Sequence, residues 1–414
     1  MRRPRKNRGS AFIMALIAIT ILTAVVVTAA SETRTVQLTQ KHRLEQRRAE
    51  RMANAGVLYA VAQMVDIDTA IVSNDDTWAQ IGTDGTQEIA VAGGSFRVQV
   101  IDAGSRISLN SATQEQLELL PLTTEQIDSI LDWRESDLQP RIEGAKDEYY
   151  TNLGRPYLTK LRNFDTVDEL LSVKGFSANL LYEPQQQNIG TSLVSAGSTA
   201  DQITLADILT VDSRSSNFTP LGEPKANVNT ASAGQLVQAG LDGPLAQAII
   251  QRRNQVGTYA SWSQLLQVPG VTMQNVSLLL DGLTLDTTNS AFGRVNLNTA
   301  SEQTLNLLPG MTPDVTQAVI SRQGTFEGLG DLAGIPGMSL PLLGQIAGLV
   351  TISSEAFIVR VIGSYGTSYF ALEAIVTIEE TGPIVKKVER YPFFDAALRW
   401  GWAETAATQT VIVD

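Results

Sequence analysis

Few residues in this chain have the chemistry for catalysis. His42 is the only histidine and there is no cysteine among the 414 residues. Disulfides, thiolate zinc sites and cysteine nucleophiles are therefore excluded, as is any multi-histidine metal site. A Ser-His-Asp triad would have to use His42. That residue stands between Lys41 and Arg43, ten or so residues beyond a long apolar run, where a solvated side chain is expected. No clustered Ser-Lys or paired-carboxylate motif stands out, so no catalytic residue is expected and the chain is not expected to be an enzyme. The remaining chemistry is charge. Lys and Arg number 31 against 43 Asp and Glu, a net charge of -12. That sign disfavours a surface built to hold nucleic acid phosphates.

The elements that would position these residues begin with an anchor. Arg2, Arg3, Arg5, Lys6 and Arg8 crowd the start, and no charge follows until Glu32. Ala11 to Ala30 are mostly apolar, about the twenty residues that cross a 30 Å hydrocarbon layer as a helix. Basic residues ahead of the span keep the N-terminus cytoplasmic and send the rest across. A cleaved secretory signal is the alternative, with Thr28-Ala29-Ala30 as its cleavage site, but its apolar core is usually shorter. The helix is expected to continue to about Asp66. From Ser31 to Val65 there is no proline, and Val36, Leu44, Met52, Ala55, Tyr59, Ala62 and Val65 approximate a helical stripe. Such a membrane-plus-projecting helix resembles the first helix of type IV pilins and pseudopilins. Arg8-Gly9-Ser10-Ala11-Phe12 is similar to a prepilin processing site. The resemblance implies that prepilin peptidase cuts after Gly9, leaving Ser10 as the methylated N-terminus. The fifth mature residue is then Met14, where most pilins carry glutamate.

Three segments repeat: Ser108-Leu109-Asn110-Ser111-Ala112, Asn227-Val228-Asn229-Thr230-Ala231 and Asn296-Leu297-Asn298-Thr299-Ala300. Each leads into a helix pattern. Thr113 with Gln116 and Ser232 with Gln235 read as capping boxes, and Ser301 with Thr304 as a weaker one. Two hairpins follow in each, the second being Val173-Lys174-Gly175, Val268-Pro269-Gly270 or Ile335-Pro336-Gly337. Repetition of this kind means repeated supersecondary units. They resemble helix-hairpin-helix pairs, which often hold DNA through hairpin amides and lysines. From Arg106 to Ile352 there are 14 Lys and Arg against 25 Asp and Glu. That net of -11 repels phosphate, so nucleic acid is not the expected partner.

The first repeat carries an insertion: Asp132-Trp133-Arg134-Glu135-Ser136-Asp137, then Lys146-Asp147-Glu148-Tyr149-Tyr150, then Asn163-Phe164-Asp165. This stretch resembles the helical domain of the large minor pseudopilins, the K family, of type II secretion systems. Members of that family lack the fifth-position glutamate, as this chain does. The resemblance also implies a calcium site in the acidic loop. Asp132, Glu135, Asp137 and Asp147 are the candidate ligands for Ca2+, which takes six to eight hard oxygens. Lys146 stands where the family usually has an acid, which weakens such a site, so no cofactor is expected to be required.

Strand patterns flank the repeats. Glu88 to Ala92 and Ser95 to Ile101 lie on one side, and Phe357 to Ile362, Tyr369 to Ile378 and Ile384 to Tyr391 on the other, with a turn expected from Gly363 to Ser368. Phe96, Val98 and Val100 alternate as one buried face. Trp400 and Trp402, two apart, read as one core face of a strand. The expected fold class is α+β, a type IV pilin-like fold. A long N-terminal transmembrane helix packs on a small antiparallel sheet, into which a large all-α helix-hairpin-helix domain is inserted. The expected boundaries are a leader at 1–9, the helix and first strands at 10–105 and a helical domain with the first repeat at 106–189. A Ser/Thr-rich linker at 190–224 follows, then repeats at 225–288 and 289–352, and return strands with the tail at 353–414. The resemblance further implies an inner-membrane location with the bulk periplasmic. It implies a tip position in the pseudopilus, with minor pseudopilins I and J as partners and H and the major G beneath. A membrane-anchored DNA-binding protein of an uptake or type IV pilus system is the alternative.

Overall fold

A computed structural model describes residues 8–83, 85–91, 93–183 and 204–402. Its first element, α1 (Arg8–Gln63), is one helix of 56 residues, about 84 Å long at 1.5 Å per residue. The first half stands clear of everything else; Phe12, Met14, Leu22 and Val27 are all more than half exposed. Thr20, Thr23 and Thr28 donate their hydroxyls to the carbonyls of Ile17, Ile19 and Ala24. This satisfies three polar groups within the helix itself. Gly9 and Ser10 fall in the first turns of α1, while residues 1–7 of the expected leader lie outside the described residues. After α1 come β1 (Glu88–Val91) and β2 (Gly94–Asp102), an antiparallel hairpin.

Three similar units follow. The first opens on β3 (Ile107–Ser108), runs through α2 (Gln114–Glu118), α3 (Thr124–Arg134), α4 (Asp147–Thr151), α5 (Ala178–Tyr182) and α6 (Leu205–Ile208), and closes on β4 (Leu209–Thr210). After β5 (Arg214–Ser216), the second runs from β6 (Ala226–Asn227) through α7 (Ala233–Gln238), α8 (Gly243–Val256), α9 (Trp262–Leu266) and α10 (Val276–Gly282) to β7 (Leu283–Thr284). After β8 (Ser290–Phe292), the third runs from β9 (Val295–Asn296) through α11 (Glu302–Asn306), α12 (Pro313–Ile320) and α13 (Leu340–Ile346) to β10 (Val350–Thr351). In every unit the opening strand pairs with the closing one as a two-residue parallel ladder. Strands β5 and β8 pair antiparallel beside them.

The helices start where the caps require. Thr113 and Gln116, and Ser232 and Gln235, form reciprocal capping boxes. Ser301 caps the Thr304 amide, but Thr304 has no carboxamide with which to reciprocate. Each such cap contributes about 1 kcal/mol. Leu117, Leu236 and Leu305, one per unit, are wholly buried in a single core that runs through all three. The expected linker at 190–224 needs correction. Residues 190–203 lie outside the described residues, but Leu205, Ile208 and Leu209 are buried, and β4 closes the first unit. A closing strand of two residues leaves almost no trace in a Ser/Thr-rich stretch.

The chain then returns as β11 (Ala356–Tyr365), β12 (Ser368–Glu379) and β13 (Gly382–Tyr391), ending in α14 (Phe393–Arg399). These complete a five-stranded antiparallel sheet in the order β1-β2-β11-β12-β13. Phe96, Val98 and Val100 face α1 together with Phe357, Val359 and Val361. Helix α14 covers the opposite face, packing on Ile362 and Ala371. The fold is therefore the expected α+β class: a long helix on a small antiparallel sheet interrupted by a helical insert.

Three expectations about packing fail, each for a physical reason. The helix stripe is misplaced. Tyr59 is 37% exposed and Val65 56%, whereas Ala49, Ala53, Ala60 and Met64 are fully buried. The sheet takes the small-residue side of α1 because the backbones come very close. A Cβ on Gly363 would stand 2.2 Å from the Ala53 nitrogen and 2.4 Å from the Ala49 oxygen. Gly363 therefore lies inside β11 and not in a turn, and the chain reverses later, at Gly366 and Thr367. Trp400 and Trp402 are buried as expected, but they follow α14 and belong to no strand. Residues two apart can both reach a core when the chain turns sharply between them, as it does at Gly401.

Candidate functional site

Helix α1 is the only element among the described residues long and apolar enough to cross a membrane. Beyond that segment its two faces differ. On the sheet side Arg48 donates to the Tyr365 hydroxyl and Arg390 pairs with Glu50 at 2.6 Å. On the outer side Arg43, Arg47 and Arg51 repeat one turn apart and are exposed, a spacing that sets them on one face. Leu58 continues that face, 66% exposed. His42 is likewise exposed on α1.

The insert sits at the far end of α1 from the apolar segment. The Val72 amide donates to Ile352, and the Ser354 amide to Thr69. Asp102, the last residue of β2, is 1% exposed. Its carboxylate accepts from the Gly104 amide (2.7 Å), Asn296 Nδ2 (2.8 Å), Thr299 Oγ1 (2.6 Å) and Ser354 Oγ (2.5 Å). Burial raises its pKa, and the bonds from Ser354, Thr299, Gly104 and Asn296 pull the other way. A second seam joins the first unit to the sheet. Arg399 meets Asp168 at 3.3 Å and lies 4.1 Å over the Tyr182 ring, and Lys387 donates to the Asp165 carbonyl. Arg106, buried behind this seam, is pushed down to about 10 by desolvation and by Arg360.

Inside the units the repeated asparagine acts as a clamp. Asn229 donates to the Tyr259 carbonyl and accepts from its amide at 2.7 Å. Asn110 does the same to Phe164. Asn298 donates to Phe326 and accepts from Gly324. A second repeated contact is a side-chain donor shared by two carbonyls. Arg134 donates to the carbonyls of Leu109 and Ala112, and Arg253 to those of Val228 and Ala231; Gln323 takes the same role on Leu297 and Ala300. Arg253 is thus committed inside its unit, whereas its neighbour Arg252 is exposed.

In the acidic loop Asp132 is 0% exposed. It accepts from the Arg141 amide and from Arg141 Nη1 at 3.0 Å, and Glu135 accepts from Arg141 Nη2 at 2.8 Å. Asp147 accepts from the Thr159 amide and Asp137 from that of Gln139. Asp132 and Glu135 therefore meet on a guanidinium, while Asp137 and Asp147 are held elsewhere. Among the described residues no group of three or more such side chains is placed to hold a metal ion. Sequence reasoning missed Asp102, Arg141 and the Arg134–Arg253–Gln323 series. The last was detectable, since the three lie 25, 25 and 26 residues after Leu109, Val228 and Leu297.

Comparison with known proteins agrees with this geometry. Residues 110–183 match the family model for type II secretion system protein K, and residues 223–283 and 290–351 each match the helix-hairpin-helix motif. Through residues 110–183 the chain is thus similar to protein K of type II secretion systems, and its two later units carry the helix-hairpin-helix motif. No curated protein matches it. Among solved structures it is similar to the GspK-GspI-GspJ complex of the enterotoxigenic Escherichia coli type 2 secretion system. That similarity is at 10% identity and a TM-score of 0.47, over 87% of this chain and 99% of the other.

Proposed function

We propose that this chain is a minor pseudopilin at the tip of a periplasmic pseudopilus that supports export of folded proteins. The observation that carries this reading is the position of the insert. Its third unit is pinned by Asp102 and Val72 to the membrane-distal end of α1 and the sheet. A subunit stacked above would collide with it, whereas subunits below can still pack on the helix. Met14 removes the carboxylate that would otherwise seek the N-terminus of a preceding subunit, consistent with a subunit that has none ahead of it. The chain would sit in the inner membrane with its N-terminus cytoplasmic. Prepilin peptidase would cut after Gly9 and leave Ser10 methylated. Minor pseudopilins I and J would bind directly, with H and the major G beneath. The protein would catalyse nothing.

Co-purification with the sibling minor pseudopilins from membranes tests the reading, combined with mass spectrometry of the N-terminus. A stable complex and a methylated Ser10 are expected. A mature chain starting near Ser31, or failure to associate with any sibling, would overturn it. The helix-hairpin-helix matches give the DNA-receptor reading its one specific support. A gel shift of residues 32–414 at low salt separates the two, since salt-sensitive micromolar duplex binding belongs only to a receptor.

A further inference from the structure

The donors in the acidic loop do not fit calcium, and the mismatch has a structural cause. Lys146 is 6% exposed. Its ammonium donates to the Asp132 carbonyl at 2.5 Å and to the Glu135 carbonyl at 3.1 Å. These are main-chain oxygens of the kind a hard cation takes, and they lie at the C-terminal end of α3, where a positive charge is stabilising. Arg141 pairs with the two neighbouring carboxylates at the same time. The carboxylates of Asp132 and Glu135 thus pair with Arg141, while Lys146 holds the main-chain carbonyls of the same two residues. The backbone is close to Asp132 as well. A Cβ on Gly144 would stand 2.0 Å from Asp132 Oδ2, so the loop backbone already lies against that carboxylate. Desolvation lowers the Lys146 pKa, and Asp132 and Glu135 act against it.

We infer that this chain closes its acidic loop with its own cations, Arg141 and Lys146, in place of a bound divalent metal. The loop therefore folds without calcium, and calcium does not bind there. The inference stands apart from the tip assignment, because it concerns only how residues 128–147 are held.

The test uses the full chain in detergent. Its thermal midpoint and near-ultraviolet circular dichroism, which report the packing of Trp133 on Tyr150, are measured in EDTA and in millimolar calcium. No shift in either is expected, and terbium should give no sensitised luminescence. A calcium-dependent rise in midpoint, or loss of the aromatic signal in EDTA, would overturn the inference. Lys146→Met supplies an independent reading: its midpoint in EDTA should fall by several degrees. A variant as stable as the parent would show that the ammonium closes nothing.

Discussion

Asn296 Nδ2 donates to the Asp102 carboxylate at 2.8 Å, joining the end of β2 to the opening strand of the third unit. One side chain thus links the sheet, the insert and, through Ser354, the returning chain. Asp102→Ala would remove four buried hydrogen bonds, leaving the Gly104 amide and the Thr299 hydroxyl without an acceptor while Asn296 keeps Val72 and Ser354 keeps Ala356. The expected cost is about 3 kcal/mol or more, with hydrogen exchange rising first around 295–300 and 354. Urea denaturation measures it; a loss below ~1 kcal/mol would mean that water replaces the carboxylate without consequence.

The clamp within each unit predicts a graded series. Asn229→Ala removes both bonds to Tyr259 and should destabilise by about 2 kcal/mol. Arg253→Leu should cost a similar amount, because two carbonyls lose their donor. Arg253→Gln should cost less, since Gln323 already performs that role in the third unit. Equal losses for the leucine and glutamine variants would refute the equivalence.

Close approach of α1 to β11 makes Gly363 intolerant. Gly363→Ala places a methyl against the backbone of Ala49 and Ala53. Overpacking of this kind typically costs 1–3 kcal/mol, occasionally more, and here the obstacle is main chain, which cannot rotate away. The expected readout is a lower thermal midpoint with faster proteolysis between 64 and 88. An unchanged midpoint would show that the helix can lift from the sheet freely.

Lys225 donates to the Leu280 carbonyl, and desolvation pushes its pKa down to about 8. An unfolded lysine titrates near 10.4, so between about pH 8 and 10 the unfolded chain binds the extra proton. Stability should therefore rise with pH across that window. Lys225→Met should flatten the slope in a urea series at fixed pH values. A slope unchanged by the substitution would remove Lys225 as its source.

How much of this was legible follows from range. The caps at Thr113 and Ser232, the alternation in β2 and the apolar run of α1 are local patterns, and they read directly from the residues. The face of α1 that meets the sheet did not read, because apolar periodicity points to large side chains and the contact uses alanines and glycine. Asp102, Asn296 and Ser354 lie far apart in sequence, and nothing in any one of them signals the others. In the acidic loop the carboxylates were visible, but their counterions were not, since Arg141 looks like any loop arginine until its two partners are seen.

Strands β2 and β11 are direct neighbours, and Asp102 lies opposite Phe357 across them. The insert therefore departs and re-enters about one strand spacing apart, roughly 5 Å. Its ends are no farther apart than those of an ordinary hairpin loop. Lengthening such a loop adds little closure entropy, about 0.6 kcal/mol per doubling. Tandem duplication of a self-closed module at this point would have left every pairing in the scaffold untouched, a route by which so heavy a headpiece can accumulate on so slight a base.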